Sequence, residues 1–88
     1  METAQFQHIQ KALSDPTRFE IFERIAGSDE TACSDLREHL SITPATLSHH
    51  LKELAEAGLI HTRREAKFMF VSLDRKVWKA YLGRLQKI

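Results

Sequence analysis

The apolar residues of this chain recur at helical spacing as far as Gly58, alternate between Phe68 and Leu73, and resume helical spacing after Asp74. That change of period, from about 3.6 residues to two and back, limits the fold more than any motif. Phe6, Ile9 and Leu13 share one face of a first helix over about 4–13. Asp15 and Pro16 then mark a helix start, because aspartate accepts from free amides and proline lacks only an N–H that the first turn leaves unpaired. Phe19, Ile21, Phe22 and Ile25 form the apolar face of this second helix, and Gly27 suits the position past its end. TACSDLREHL reads as a short third helix on Leu36 and Leu40. Thr43 caps a fourth, Pro44 opens it and Gly58 closes it. Met69, Val71 and Leu73 alternate with Phe68, Phe70 and Ser72 as in a strand, with REAK as the hairpin tip. Asp74 caps a last helix over about 74–87, striped by Val77, Trp78, Tyr81, Leu82, Leu85 and Ile88.

Four helices, a hairpin and a C-terminal helix make a mostly α (α+β) single domain over 1–88, a winged helix-turn-helix. The helix-turn-helix covers about 32–57 and the β-hairpin wing about 59–73. A chain of 88 residues buries only about 60% of the surface its unfolded form exposes, so a partner subunit is a natural supplement. The longest unbroken apolar stretch, FMFV, is far too short to span a bilayer. METAQFQHIQ has no basic start followed by an apolar run, and the single cysteine excludes an intramolecular disulfide. A cytoplasmic protein with no membrane contact is expected.

The net charge of +1 hides an asymmetry. Residues 1–40 carry four basic side chains against eight acidic ones, and residues 41–88 carry nine against four. A chain divided this way has one part suited to a polyanion. Projection of the fourth helix at about 100° per residue puts Leu47, Leu51 and Leu54 on one side, with His50 near them. Ala45, His49, Lys52 and Glu56 point the opposite way, and Thr46, Ser48 and Glu53 flank them. Short and polar first turns let a helix backbone approach base edges in the major groove of double-stranded DNA, where hydroxyls and imidazoles read bases. Ala45, Thr46, Ser48 and His49 are therefore the candidate base-contacting residues. Thr43, Lys52, Arg63, Arg64 and Lys67 are the candidates for the DNA backbone, the last three around the wing tip.

KALSDPTRFEIFERI, TPATLSHHLKELAEAGLI and RREAKFMFVSL together resemble the ArsR/SmtB family of winged-helix repressors over roughly residues 9–73. The resemblance implies a homodimer built from the first and last helices, bound to an inverted-repeat operator. Phe6, Ile9, Leu13, Trp78, Tyr81, Leu82 and Leu85 are the expected interface, and the width of the last helix's apolar stripe argues the same way.

Two departures qualify the match. Metal-sensing members of that family carry a Cys-x-Cys pair on the third helix, whereas here Ala32 and Ser34 occupy those positions around Cys33, and the last helix has no histidine. No bound metal and no cofactor are expected, and the effector is unknown. Ala66 stands where a wing-tip glycine is common, so the wing is expected to be longer, differently turned or more mobile.

An enzyme is not expected. His49 and His50 diverge as helical neighbours, Ser48 cannot form a nucleophile–base pair with His49 across that angle, and His8, His39 and His61 are isolated in the sequence. Two other readings fit the same residues: a winged-helix docking or dimerisation module that binds no DNA, and a ligand- or redox-responsive repressor.

Overall fold

The computed structural model describes all 88 residues. In chain order the elements are α1 (Thr3–Leu13), α2 (Pro16–Ala26), β1 (Thr31–Ala32), α3 (Cys33–Leu40), α4 (Pro44–Glu56), β2 (Ile60–Glu65), β3 (Phe68–Leu73) and α5 (Arg75–Gln86). Three of the five helices start on the side chains that the sequence marks. Asp15 accepts from the Arg18 amide at 2.8 Å, Thr43 from Thr46 at 3.1 Å and Asp74 from Val77 at 3.0 Å. Each cap contributes about 1 kcal/mol by satisfying an amide that the first turn leaves free.

One core joins these elements. Ile9 of α1, Ile21 and Ile25 of α2, Leu36 of α3, Leu54 of α4, Leu59 and Val71 are fully enclosed. Phe22, Leu47 and Leu51 are nearly so. An aromatic relay brings α5 onto this body: Phe22 meets Trp78 edge-on at 4.8 Å, Trp78 stacks on Tyr81 at 5.6 Å, and Tyr81 reaches Phe6 at 5.0 Å. Phe19 departs from its expected place on the apolar face of α2 and is 39% exposed. It lies at the edge of the apolar arc and touches only the rim of this relay, 6.4 Å from Phe22.

The sheet has the order β1-β3-β2, antiparallel throughout. β1 pairs Thr31 with Val71 and Ala32 with Phe70, and it escapes sequence reading because two residues carry no period. Ile60, Thr62 and Arg64 stand opposite Leu73, Val71 and Met69, while His61, Arg63 and Glu65 stand opposite Ser72, Phe70 and Phe68. Side chains alternate along a strand, so Arg63 and Arg64 leave the wing on opposite faces.

The wing is not lengthened to accommodate Ala66. Glu65 pairs with Phe68, so Ala66 and Lys67 alone make the turn, and Ala66 takes φ 53°. Positive φ at the first of two turn residues is a conformation that favours glycine. Ser41, between α3 and α4, is held in the same left-handed region at φ 53°. An L residue there costs roughly 1–2 kcal/mol, part of which glycine gives back through the unfolded state. Ala66→Gly is therefore expected to raise unfolding stability by about 1 kcal/mol, read from the midpoint of urea denaturation. A loss of stability would show that this turn carries no strain.

Candidate nucleic-acid interface

The leucines of α4 fix its rotation. Leu47, Leu51 and Leu54 are buried, and His50 joins them at 8% exposure. The opposite side then belongs to solvent: Ala45, Thr46, Ser48, His49 and Lys52 are all exposed. The connection from α3 is short, running from Leu40 through left-handed Ser41 to the Thr43 cap. Thr43 is largely spoken for, since its hydroxyl accepts from the Thr46 amide and donates to the Thr46 hydroxyl at 2.9 Å. At the far end, Gly58 (φ +83°) turns the chain while the Leu59 amide donates to the Leu54 carbonyl at 3.1 Å. Gln5 of α1 donates to the Ala57 carbonyl at 3.3 Å. A Cβ at Gly58 would stand 2.7 Å from that glutamine's amide nitrogen, so glycine serves both the turn and the close approach of α1.

The cations of the wing divide into two kinds. Arg63 reaches Glu30 through two nitrogens at 2.7 and 3.1 Å and Glu65 at 3.0 Å, and its guanidinium lies 4.7 Å from the centre of the Phe70 ring. These hydrogen bonds raise its already high pKa further and hold the Glu30 carboxyl below its usual range. Glu30 directly precedes β1, so the pair ties the wing to the edge of the sheet. This was not visible in the sequence, because 33 residues separate the partners. Arg64 lies on the other face with only a weak contact to the Met69 sulfur at 3.9 Å. Together with Arg37, Lys67 and Ser34 it lines a cavity of about 200 Å³ that has no acidic residue in its wall. Arg37, Arg64 and Lys67 take part in none of the ion pairs of the molecule. Lys52 lies 4.0 Å from Glu56, an exposed pair of the kind that contributes little.

Cys33, at the start of α3, is 6% exposed, and burial pushes its thiol pKa up against the pull of Arg37 and Arg64. A thiol so placed is held in the less reactive protonated form.

The remaining residues singled out by sequence fall elsewhere. His61 lies 2.8 Å from Asp74, whose other carboxylate oxygen caps α5. His8 is not isolated, for it meets Glu53 and Glu56 of α4. Of the seven residues expected between two copies, Ile9 is fully enclosed within its own protomer and has no surface to offer. Phe6 and Tyr81 pack against each other and are less than 10% exposed. Leu82 and Leu85 are exposed, and Leu13 and Trp78 half-buried.

His50 is the buried titratable group of the helix. Its Nδ1 has no hydrogen-bond partner, with the Asp15 carboxylate 4.0 Å away. Burial lowers its pKa from the ordinary 6.5, and the nearby Asp15 offsets this only in part. A depressed histidine pKa makes the unfolded chain bind the proton more readily, so stability is complete above about pH 6.5 and falls as pH drops through the folded value. The urea midpoint is expected to fall between pH 7.5 and pH 5.5, and His50→Leu is expected to flatten that dependence. An unchanged slope in the variant would assign it to another group.

Residues 13–63 match the sequence profile of a helix-turn-helix domain family. The chain is 42% identical over 67 residues to the transcriptional repressor SdpR of Bacillus subtilis, covering 76% of this chain and 73% of that protein. It is 41% identical over 76 residues to the arsenical resistance operon repressor of Staphylococcus xylosus, covering 86% and 72% respectively. In fold it resembles an ArsR-like transcriptional regulator from Rhodococcus, with a TM-score of 0.83 at 21% identity over 96% of this chain and 78% of that one. A homodimeric winged helix-turn-helix DNA-binding domain from Mycobacterium bovis has a TM-score of 0.78 at 23% identity over 96% and 79%.

Proposed function

The chain belongs to the ArsR family of winged-helix transcriptional regulators, and from that premise we propose that it is a homodimeric repressor that reads its operator through α4. The observation that carries this reading is the rotation of α4. Its leucines face inward, so the exposed first turns present Ala45, Thr46, Ser48 and His49. Small side chains at 45 and 46 admit the backbone to the groove, while Ser48 and His49 supply the donors and acceptors that distinguish bases.

Backbone contacts come from Lys52, Lys67 and Arg64, joined by Arg37 of α3. Arg63 is set apart from them. Its charge is already offset by Glu30 and Glu65, and releasing it would break the clamp on β1. A second copy covers the exposed Leu82 and Leu85 of α5 together with Leu13 and Trp78. Two-fold symmetry then sets two α4 helices about one DNA turn apart, roughly 34 Å. SdpR and the staphylococcal protein are repressors by name, and the mycobacterial domain is homodimeric by name; both properties come to this chain as part of the proposal.

Fluorescence anisotropy on the chain's own upstream DNA and on an unrelated duplex tests the reading. Four phosphate-contacting cations per subunit give a log–log salt slope of up to about −7 per dimer. Arg64→Ala is expected to weaken binding to both duplexes alike and to reduce the slope by about 2. Arg63→Ala should leave the slope nearly unchanged and lower stability instead. Ser48→Ala should change which duplex is preferred. Weak, salt-insensitive binding to both duplexes would favour a protein-docking module. For the interface, Leu82→Glu with Leu85→Glu is expected to convert a dimer to a monomer in sedimentation velocity, because two buried like charges per copy oppose association. A dimer that survives places the interface elsewhere.

A further inference from the structure

We propose that His8 of α1 and Glu53 and Glu56 of α4 form a binding site for a divalent transition cation, of which zinc is the natural representative. The proposal concerns residues of the first and fourth helices, not the third, where Ala32 and Ser34 leave no thiolate pair.

The fold brings His8 to two glutamates that lie 45 and 48 positions further along the sequence. One imidazole nitrogen and two carboxylate oxygens all lie within 4.8 Å of one another. Tetrahedral zinc with bonds of about 2.0–2.1 Å needs ligand atoms about 3.4 Å apart. Closing that gap takes a rotation of glutamate side chains, and Glu56, half exposed, is free to make it. His8 and Glu56 also line a cavity of about 310 Å³ with Glu2, Gln5 and Gly58. The room accommodates a water ligand in the fourth position. Glu2 is the alternative donor, since it sits at the N-cap of α1 and makes no capping bond with its side chain.

The placement of the two glutamates is unfavourable without a cation. They are three residues apart on one helix, where like charges repel. They also fall in its last turn, where the macrodipole favours cations and no basic residue is present. Lys52, at 4.0 Å from Glu56, is the only cation paired with either of them. A divalent ion would offset both carboxylates at once and bridge α4 to α1 beside the Gln5–Ala57 hydrogen bond. Imidazole favours zinc, nickel or iron over magnesium or calcium, and two carboxylates in place of thiolates direct the site away from copper(I).

The test is independent of DNA. Tag-free protein in a non-chelating buffer at pH 7.5 is titrated calorimetrically with zinc chloride and, separately, with magnesium chloride. The expected result is one zinc per protomer, no magnesium heat at the same concentrations, and a zinc-dependent rise in the thermal unfolding midpoint. His8→Ala and Glu53→Gln should each weaken zinc binding by at least about tenfold and abolish the thermal shift. His61→Ala, which removes the other histidine beside a carboxylate, should leave both unchanged. Circular dichroism shows whether each variant is folded, and Glu53→Gln serves should His8→Ala unfold. No zinc binding by the wild type, or undiminished binding by folded His8→Ala or Glu53→Gln, overturns the site.

Discussion

Burial of Leu47, Leu51 and Leu54 against α2, α3 and the sheet sets the angle at which α4 is rolled, and the rest of the surface follows from that angle. Turning the helix by one residue, about 100°, would bury Ser48 and Lys52, or in the other sense Thr46 and Glu53, among aliphatic side chains and expose a leucine. An unpaired polar group in such a place costs on the order of 1–3 kcal/mol, and the lost apolar burial adds to it. The helix therefore has one favourable rotation, and its polar first turns are exposed because nothing else can be. His50 is the exception on the leucine side, enclosed with one ring nitrogen unpartnered.

Alternation on the wing performs a similar sorting over a shorter distance. Arg63 and Arg64 are adjacent and identical in type, yet the pleat sends them to opposite faces. One becomes an internal tie through Glu30, and the other remains among unpaired cations with Arg37 and Lys67. A charge count treats the two as equal. Their neighbours across the sheet make one structural and the other available to a polyanion.

Legibility in the sequence tracked how local each interaction is. Asp15, Thr43 and Asp74 each accept from an amide three residues on, so a few letters suffice to place them. The change of period located the wing, and helical projection separated the two sides of α4. The Arg63–Glu30 pair and the meeting of His8 with Glu53 and Glu56 depend on contacts across the fold, and no spacing rule announces them. The same reason explains Ile9. Its helical phase marked it as apolar, but only the packing shows that its own protomer encloses it and leaves nothing for a partner. At Ala66 the rule that glycine belongs in a tight turn was sound, and the paired strands held alanine there regardless.

The Asp74 carboxylate has two duties, one oxygen receiving the Val77 amide and the other lying beside the His61 ring, while the Asp74 amide donates to the Leu59 carbonyl at 2.8 Å. These contacts converge where β2 begins, β3 ends and α5 starts. Fraying of the first turn of α5 would cost the base of the hairpin its partners, and parting of the strands there would strip the helix of its cap. The two openings are thus one cooperative event. The hairpin's root takes its rigidity from the helix beyond it as well as from its own ladder.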